Sequence, residues 1–284
     1  MGYRENYEAW LHDFASDAAT VSDLQSIAQD EKEIEDRFYK NLSFGTAGMR
    51  GVLGAGMNRM NVYTVRRATQ GLADYLSAGE SNKRRGVVIG YDSRRMSAEF
   101  AMETARVLCA NGIQTYLFDA LRPVALLSFG VRHLNAVAGV VITASHNPPQ
   151  YNGYKVYWED GAQMPPERAD EVLALIRAHD YAECEPMGEA AALEAKLLEY
   201  VPAAVDDAYI AQVKTLAIRP ELLREHGSEL KIVYTPLHGS GNLPVRRVLK
   251  EMGVTNLLVV REQEAPDGNF PTVKVPNPEN ADTF

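Results

Sequence analysis

A serine, a histidine and an asparagine stand side by side where an apolar run ends, as Ser145, His146 and Asn147 in "AGVVITASHNPPQYNGYKVYW". A serine delivered on a sharp strand-end turn becomes a useful nucleophile when a base, a metal or a phosphoryl group accompanies it. His146 is adjacent, and Lys155 follows after a turn built from Pro148, Pro149 and Gly153. The hydrolase elbow G-x-S-x-G is absent, because Thr143 and Ala144 precede the serine and His146 and Asn147 follow it. Acyl transfer is therefore disfavoured. A competing reading makes Ser145 and Asn147 plain turn formers that bond the backbone ahead of the prolines.

Two further stretches bring groups suited to an anion. "FGTAGMRG" spaces Gly45, Gly48 and Gly51 three apart with Arg50 among them. Such glycines let backbone N–H groups approach an oxyanion closely, and an arginine grips it with a planar fork. "GYDSR" adds Asp92 and Arg94 at another strand end. Together a serine, a histidine, a lysine and two arginines lie in loops able to converge on an anionic substrate. Each has a plainer alternative: His146 as a turn residue, Lys155 as a solvated strand lysine, the three glycines as a turn, and Asp92 and Arg94 as braces of the neighbouring loop.

The elements that must position these groups read as alternating strands and helices. "GVVIG", "IQTYLFDA" and "AGVVITA" are short, apolar strands, and "GYKVYW" is a fourth, less buried one. Between them, Val65, Ala68, Leu72 and Leu76 mark one helix face. Phe100, Thr104, Val107 and Leu108 mark another, with Ser97 as N-cap and Asn111-Gly112 as stop. Pro123 begins a third helix. This order argues a layered α/β domain whose ligand site gathers at strand ends. A helical lead carries Tyr7, Trp10, Leu11 and Phe14 at helical spacing, and residues 160–204 read as acidic and helical. A new α/β unit opens near Asp206 with the strand "LKIVY", the loop "TPLHGSGN", a helix and the strand "NLLVV", and the final residues are loop-like. Two strands are too few for a stable sheet, so a truncated chain is expected.

Composition narrows the partners. The 284 residues are 46% hydrophobic and 24% charged with a net charge of −9, which suits packed globular domains and disfavours nucleic acid or an anionic membrane surface. The basic run Lys83, Arg84 and Arg85 reads as a solvated turn. No signal peptide or membrane span is expected. Cys109 and Cys184 have no metal-ligand spacing and read as a core thiol and a surface or loop thiol in a reducing, cytoplasmic setting.

On "TASHNP", supported in order by "FGTAGMRG", "GYDSRRMS", "NGYKVYWEDGAQ" and "TPLHGSGN", the chain resembles the α-D-phosphohexomutases, which include phosphoglucomutase and phosphomannomutase. The long lead with "FGTAGMRG" looks most like the branch holding the phosphoglucomutase/phosphopentomutase and glucose-1,6-bisphosphate synthase relatives. The resemblance implies a layered helix-sheet-helix domain 1 over residues 1–204 and an incomplete domain 2 over residues 205–284. It implies a phosphosugar mutase that interconverts hexose 1-phosphate and 6-phosphate, glucose foremost, through a phosphoserine and a bisphosphate intermediate. Ser145, His146, Lys155 and Arg50 would be catalytic, and Thr46, Gly48, Asn147 and Arg94 would bind substrate or phosphate. Mg²⁺ would meet the phosphoryl oxygen of Ser145, with glucose 1,6-bisphosphate as activator. The departures are as informative. No D-x-D-x-D-R metal loop, no G-E-x-S-G sugar loop and no C-terminal phosphate loop is present. An inactive portion of the enzyme is therefore expected, with self-association of the shortened second unit. The alternatives are a phosphopentomutase or bisphosphate synthase on the same scaffold, or a non-catalytic phosphate-binding module.

Overall fold

The computed structural model describes residues 2–46 and 48–283. The chain opens with three helices, α1 (Tyr3–Asp13), α2 (Ala18–Ser26) and α3 (Glu31–Phe38). Their apolar faces bury Tyr7, Trp10, Phe14, Leu24, Ile34 and Phe38 in one aromatic-rich cluster with Tyr63. Phe14 stacks on Tyr63 at 3.7 Å, which fastens the lead to the first sheet-covering helix. A hairpin follows, β1 (Phe44–Gly45) and β2 (Gly48–Val52), where the glycine-rich stretch had read as a loop.

Helix α4 (Val62–Ser77) begins at Asn61, whose side chain accepts from the N–H groups of Tyr63 and Thr64 while Thr64 Oγ1 accepts from Asn61 N. This reciprocal cap fixes the helix start. The chain continues through α5 (Glu80–Arg85), β3 (Val87–Tyr91), α6 (Ser97–Ala110), β4 (Thr115–Leu117), α7 (Val124–His133), β5 (Ala138–Ile142) and β6 (Tyr151–Trp158). Next come α8 (Pro166–Arg177), α9 (Glu189–Glu194) and β7 (Leu198–Tyr200). The seven strands form one sheet in the order β1-β2-β6-β5-β3-β4-β7. Strands β5, β3, β4 and β7 run parallel, whereas β6 is antiparallel to both β5 and β2. Helices α4, α6 and α8 pack on one face around Leu72, Phe100 and Val172. Helix α7 covers the other through Leu126, Leu127 and Val131.

The second unit comprises α10 (Ala203–Lys214), α11 (Pro220–His226), β8 (Lys231–Tyr234), α12 (Asn242–Glu251) and β9 (Asn256–Val259). Strands β8 and β9 form a parallel pair, and Val233, Leu243 and Leu258 are exposed. The bidentate contact of Arg122 with Asp206, at 3.0 and 2.8 Å, ties the loop before α7 to α10.

Several expectations need correction. Strand β6 is largely buried, because β2 pairs along its other edge. The acidic stretch 160–204 is not helical throughout: Lys196, at φ 57°, ends α9, and β7 then pairs with β4. Ser97 is the first residue of α6 and not its cap, since Met96 holds that position and the serine hydroxyl is spent on Asp92. Lys83, Arg84 and Arg85 close α5 and do not form a free turn. Cys184 is buried like Cys109, and both are free thiols. No helix of the described residues is long and apolar enough to cross a membrane.

Helices α4 and α8 meet where Gly71 has no side chain; a Cβ there would lie 2.4 Å from Ile176 Cγ1 and 2.6 Å from its backbone nitrogen. Gly71→Ala is expected to destabilise the first unit by about 1–3 kcal/mol through overpacking, despite alanine's better helix propensity. Urea denaturation measures the shift in midpoint.

Candidate functional site

Strand β5 is buried at all five residues and ends in a turn that its own sequence makes unusual. Ser145 sits at φ 55°, a left-handed conformation that costs a non-glycine residue free energy and clusters at functional sites. Its N–H donates to Thr143 Oγ1 at 2.9 Å, and Asn147 N donates to Ala144 O at 3.1 Å. The serine Oγ lies 3.3 Å from His146 Nδ1, within reach of a proton exchange, and both side chains face solvent. The structure thus places Ser145 and His146, the two expected residues, within contact of one another.

Arg94 occupies a different place from the one expected. Its side chain is only 1% exposed, so it offers no fork to a phosphate. Nη1 donates to Pro148 O and Tyr151 O at 3.0 and 3.1 Å, and Nη2 donates to Ser145 O and Asn147 O at 2.8 and 2.5 Å. Arg94 is the brace of the serine loop. Asp92 balances its charge at 3.6 Å while accepting from Arg94 N at 2.9 Å and Ser97 Oγ at 2.7 Å. Burial pushes the Asp92 carboxyl up, against the opposing pull of bonds from Thr143, Arg94 and Ser97 and of the Arg94 charge. Burial likewise pulls the Arg94 guanidinium down.

Two cations near the serine loop are placed by the sheet register. Arg50 on β2 is opposite Gly153, and Lys155 lies two residues further along β6, so both side chains share one face. Arg50 Nη1 donates to Asn147 Oδ1 at 2.9 Å, which commits Asn147 to holding the arginine. Lys155 is half-buried; burial first, and the Arg50 charge second, pull its ammonium below the ordinary lysine value, with Asp92 opposing. Gly48 makes this approach possible, because at φ 76° a Cβ would lie 1.9 Å from Tyr154 O. Gly153 is equally constrained, 2.6 Å from Thr143 O. Thr46 is exposed in the hairpin turn.

Sequence reasoning missed a contribution from the second unit. Asp267–Phe270 folds against the Arg94 loop: a Cβ on Gly268 would lie 2.5 Å from Arg95 N, and the Phe270 ring centre lies 5.1 Å from the Arg94 guanidinium. His238 shapes that segment from within, with Nδ1 at 2.9 Å from Ala265 O and Nε2 at 2.9 Å from Thr272 Oγ1. The turn-forming "PDG" was the available signal, but it does not say what the turn touches.

Among the described residues, no group of three or more His, Cys, Asp or Glu side chains is arranged to hold a metal ion. Asp92, beside the serine loop, is already engaged with Arg94 and Ser97. These residues do not fit a self-contained Mg²⁺ site.

A helix-sheet-helix domain that presents a serine at a strand end, joined to a second α/β unit, defines a layered α/β class, and comparison narrows it. "Phosphoglucomutase/phosphomannomutase, alpha/beta/alpha domain I" matches residues 41–183, and domain II of the same description matches residues 207–284. The chain belongs to the phosphoglucomutase/phosphomannomutase family. It is 38% identical to a phosphoglucomutase of Staphylococcus saprophyticus over 90% of this chain and 45% of that one. It is 35% identical to the human phosphopentomutase over 88% and 42% of the two chains. The crystal structure of a phosphoglucomutase/phosphomannomutase family protein from Burkholderia thailandensis shares the fold at 23% identity, with a TM-score of 0.59 over 80% of this chain and 45% of that one. The chain therefore spans somewhat less than half the length of these relatives.

Removing Arg94 leaves Asp92 uncompensated and four carbonyls short of a donor, so Arg94→Met is expected to cost about 3–5 kcal/mol and to speed amide exchange across residues 145–152. Arg94→Lys restores little, because a point charge cannot serve four carbonyls. Lys155 gives a pH-dependent outcome. Its folded value is lowered, so charging it opposes folding at neutral pH, and that penalty fades as pH rises from the lowered value towards 10.5. Lys155→Met is expected to be more stable than the parent at pH 7, with the difference shrinking in denaturation series taken towards pH 11.

Proposed function

We propose that Ser145 is the phosphoryl carrier of a phosphosugar mutase, with a hexose phosphate, glucose foremost, as substrate. The observation that carries this reading is the strained Ser145 turn, with its Oγ 3.3 Å from His146 Nδ1 and Arg50 and Lys155 on the flanking sheet face. When a sugar bisphosphate donates, the bond between phosphorus and the sugar oxygen breaks as the bond to Ser145 Oγ forms. The serine proton passes by way of His146 to the leaving sugar oxygen. In the reverse step a hydroxyl of a sugar monophosphate attacks the phosphoserine, the bond to Ser145 Oγ breaks, and the bisphosphate forms as that hydroxyl's proton passes to the serine. Arg50 and Lys155 offset the charge spread over the transferring oxygens, which is the principal demand of phosphoryl transfer. An arriving phosphoryl group would offset the burial and the Arg50 charge that hold the Lys155 ammonium below its ordinary value. No step here is assigned to a metal ion.

The similarity to the human phosphopentomutase supports a pentose phosphate as the second reading. The lack of a metal-holding carboxylate group among the described residues supports feeble turnover by this chain alone, and in the extreme a phosphate-binding module.

Intact-mass and peptide mass spectrometry after incubation with glucose 1,6-bisphosphate and Mg²⁺ test the reading. One phosphoryl group is expected on Ser145, acquired slowly, absent from Ser145→Ala, and acquired about 10–100-fold more slowly by Arg50→Gln, as for loss of one preorganised charge donor. A coupled assay is expected to show no sustained glucose-phosphate turnover by this chain. Label on another residue, or label surviving in Ser145→Ala, would refute the proposal.

A further inference from the structure

Among the described residues, Arg67, on α4, is a buried cation that forms no ion pair. It is 8% exposed, its Nε donates to His179 O at 2.7 Å, and its guanidinium lies 4.4 Å from the centre of the Tyr181 ring. Of the nearby acids, Asp180 and Glu183, beside Tyr181, are exposed to solvent, and two on α4 and α6 are engaged elsewhere. Asp74 meets His179 at 2.5 Å, and Glu103 is shared by Arg66 and Arg106. Desolvating a guanidinium without an anion costs several kcal/mol, so a fold that retains one in this state is suited to receive a negative ligand.

The surroundings of Arg67 have the shape and polarity for one. It lines a cavity of about 310 Å³ whose polar wall is Lys40, Ser43, Thr64, Arg67, Arg177 and Tyr181, with no Asp or Glu in the lining. Three cations and three hydroxyls surround an apolar floor, in a chain whose net charge is −9. Phe44 and Met49, paired across the hairpin, close one side. Met49 and Arg50 point to opposite faces of β2, so this cavity lies behind the hairpin that presents Arg50 to the serine loop.

We propose that this cavity is a second anion site, separate from the serine loop, that takes a phosphate dianion, either free or as the phosphoryl end of a small metabolite. Arg67 supplies the buried fork, Lys40 and Arg177 the charges at the mouth, and the Ser43 hydroxyl a further hydrogen bond, the hydroxyls of Thr64 and Tyr181 being held by Asn61 and Asn41. Because the hairpin is a wall of both sites, occupancy here stiffens the strand that carries Arg50. The proposal stands on this geometry alone and does not depend on phosphoryl transfer at Ser145.

Isothermal titration with inorganic phosphate and, separately, with glucose 6-phosphate tests it at low ionic strength. The chain carrying Arg50→Gln and Lys155→Gln, which weakens anion binding at the serine loop, is expected still to bind one phosphate. Adding Lys40→Gln and Arg177→Gln, both at exposed positions, is expected to weaken that binding about 10-fold or more through loss of two charges. Arg67→Met, with folding checked by circular dichroism, is expected to abolish it. Tighter binding of glucose 6-phosphate identifies a sugar phosphate as the ligand, and equal binding identifies the free ion; both support the site. Binding that vanishes with Arg50→Gln and Lys155→Gln, or that is indifferent to Lys40→Gln and Arg177→Gln, overturns it.

Discussion

The loop from Ser145 to Tyr151 is wrapped around the Arg94 guanidinium, which gives hydrogen bonds to four of its carbonyls from a nearly dry interior. A full charge in that environment needs an answering one, and Asp92 provides it while also receiving the Ser97 hydroxyl at the start of α6. The same cation lies against the Phe270 ring of the second unit. The end of β3, the beginning of α6, the serine turn and the Asp267–Phe270 segment are thus organised around a single guanidinium. Because hydrogen bonds strengthen where water is excluded, this arrangement can hold Ser145 in a backbone conformation that it would not choose alone.

Much of the frame was legible in the sequence. Strand β5, helix α4 and the residues around Ser145 follow from apolar patterning and a distinctive run of side-chain types. The role of Arg94 was not legible, because an arginine at a strand end suits a phosphate ligand and a brace equally well. Burial decides between them, and its carbonyl partners lie 51 to 57 residues away in sequence. Strand β7 was hidden for a related reason: three residues after an alanine-rich helix carry too little pattern, and pairing with β4 makes the strand. The burial of β6 depended on the hairpin in "FGTAGMRG", which glycine content had disguised as a loop.

The two units contribute unlike things. Ser145, His146, Arg50 and Lys155 all come from the first, whereas the second offers packing through Gly268 and Phe270 and a histidine, His238, used for internal hydrogen bonding. Family membership rests on both units, since the matches to domains I and II cover separate stretches of the chain. The chemistry of the serine loop and the support for that loop are therefore encoded far apart, and neither stretch explains the other when read alone.

The antiparallel pairing of β6 with β5 also limits how such a chain can change length. Lys155 faces the serine turn because Val141 is its partner, and its neighbour Tyr154 fills the core from the opposite face. Sidedness along a strand has parity: a slip of one residue in this pairing would send the ammonium inward and the phenol outward. Insertions and deletions between Asn147 and Gln150 leave that parity intact but disturb the carbonyls that Arg94 holds, whereas a single one between Tyr151 and Lys155 exchanges the two faces of the strand. The ladder that holds Lys155 in place thus acts as a reading frame written in hydrogen bonds, in which each pair inherits its side from the one before.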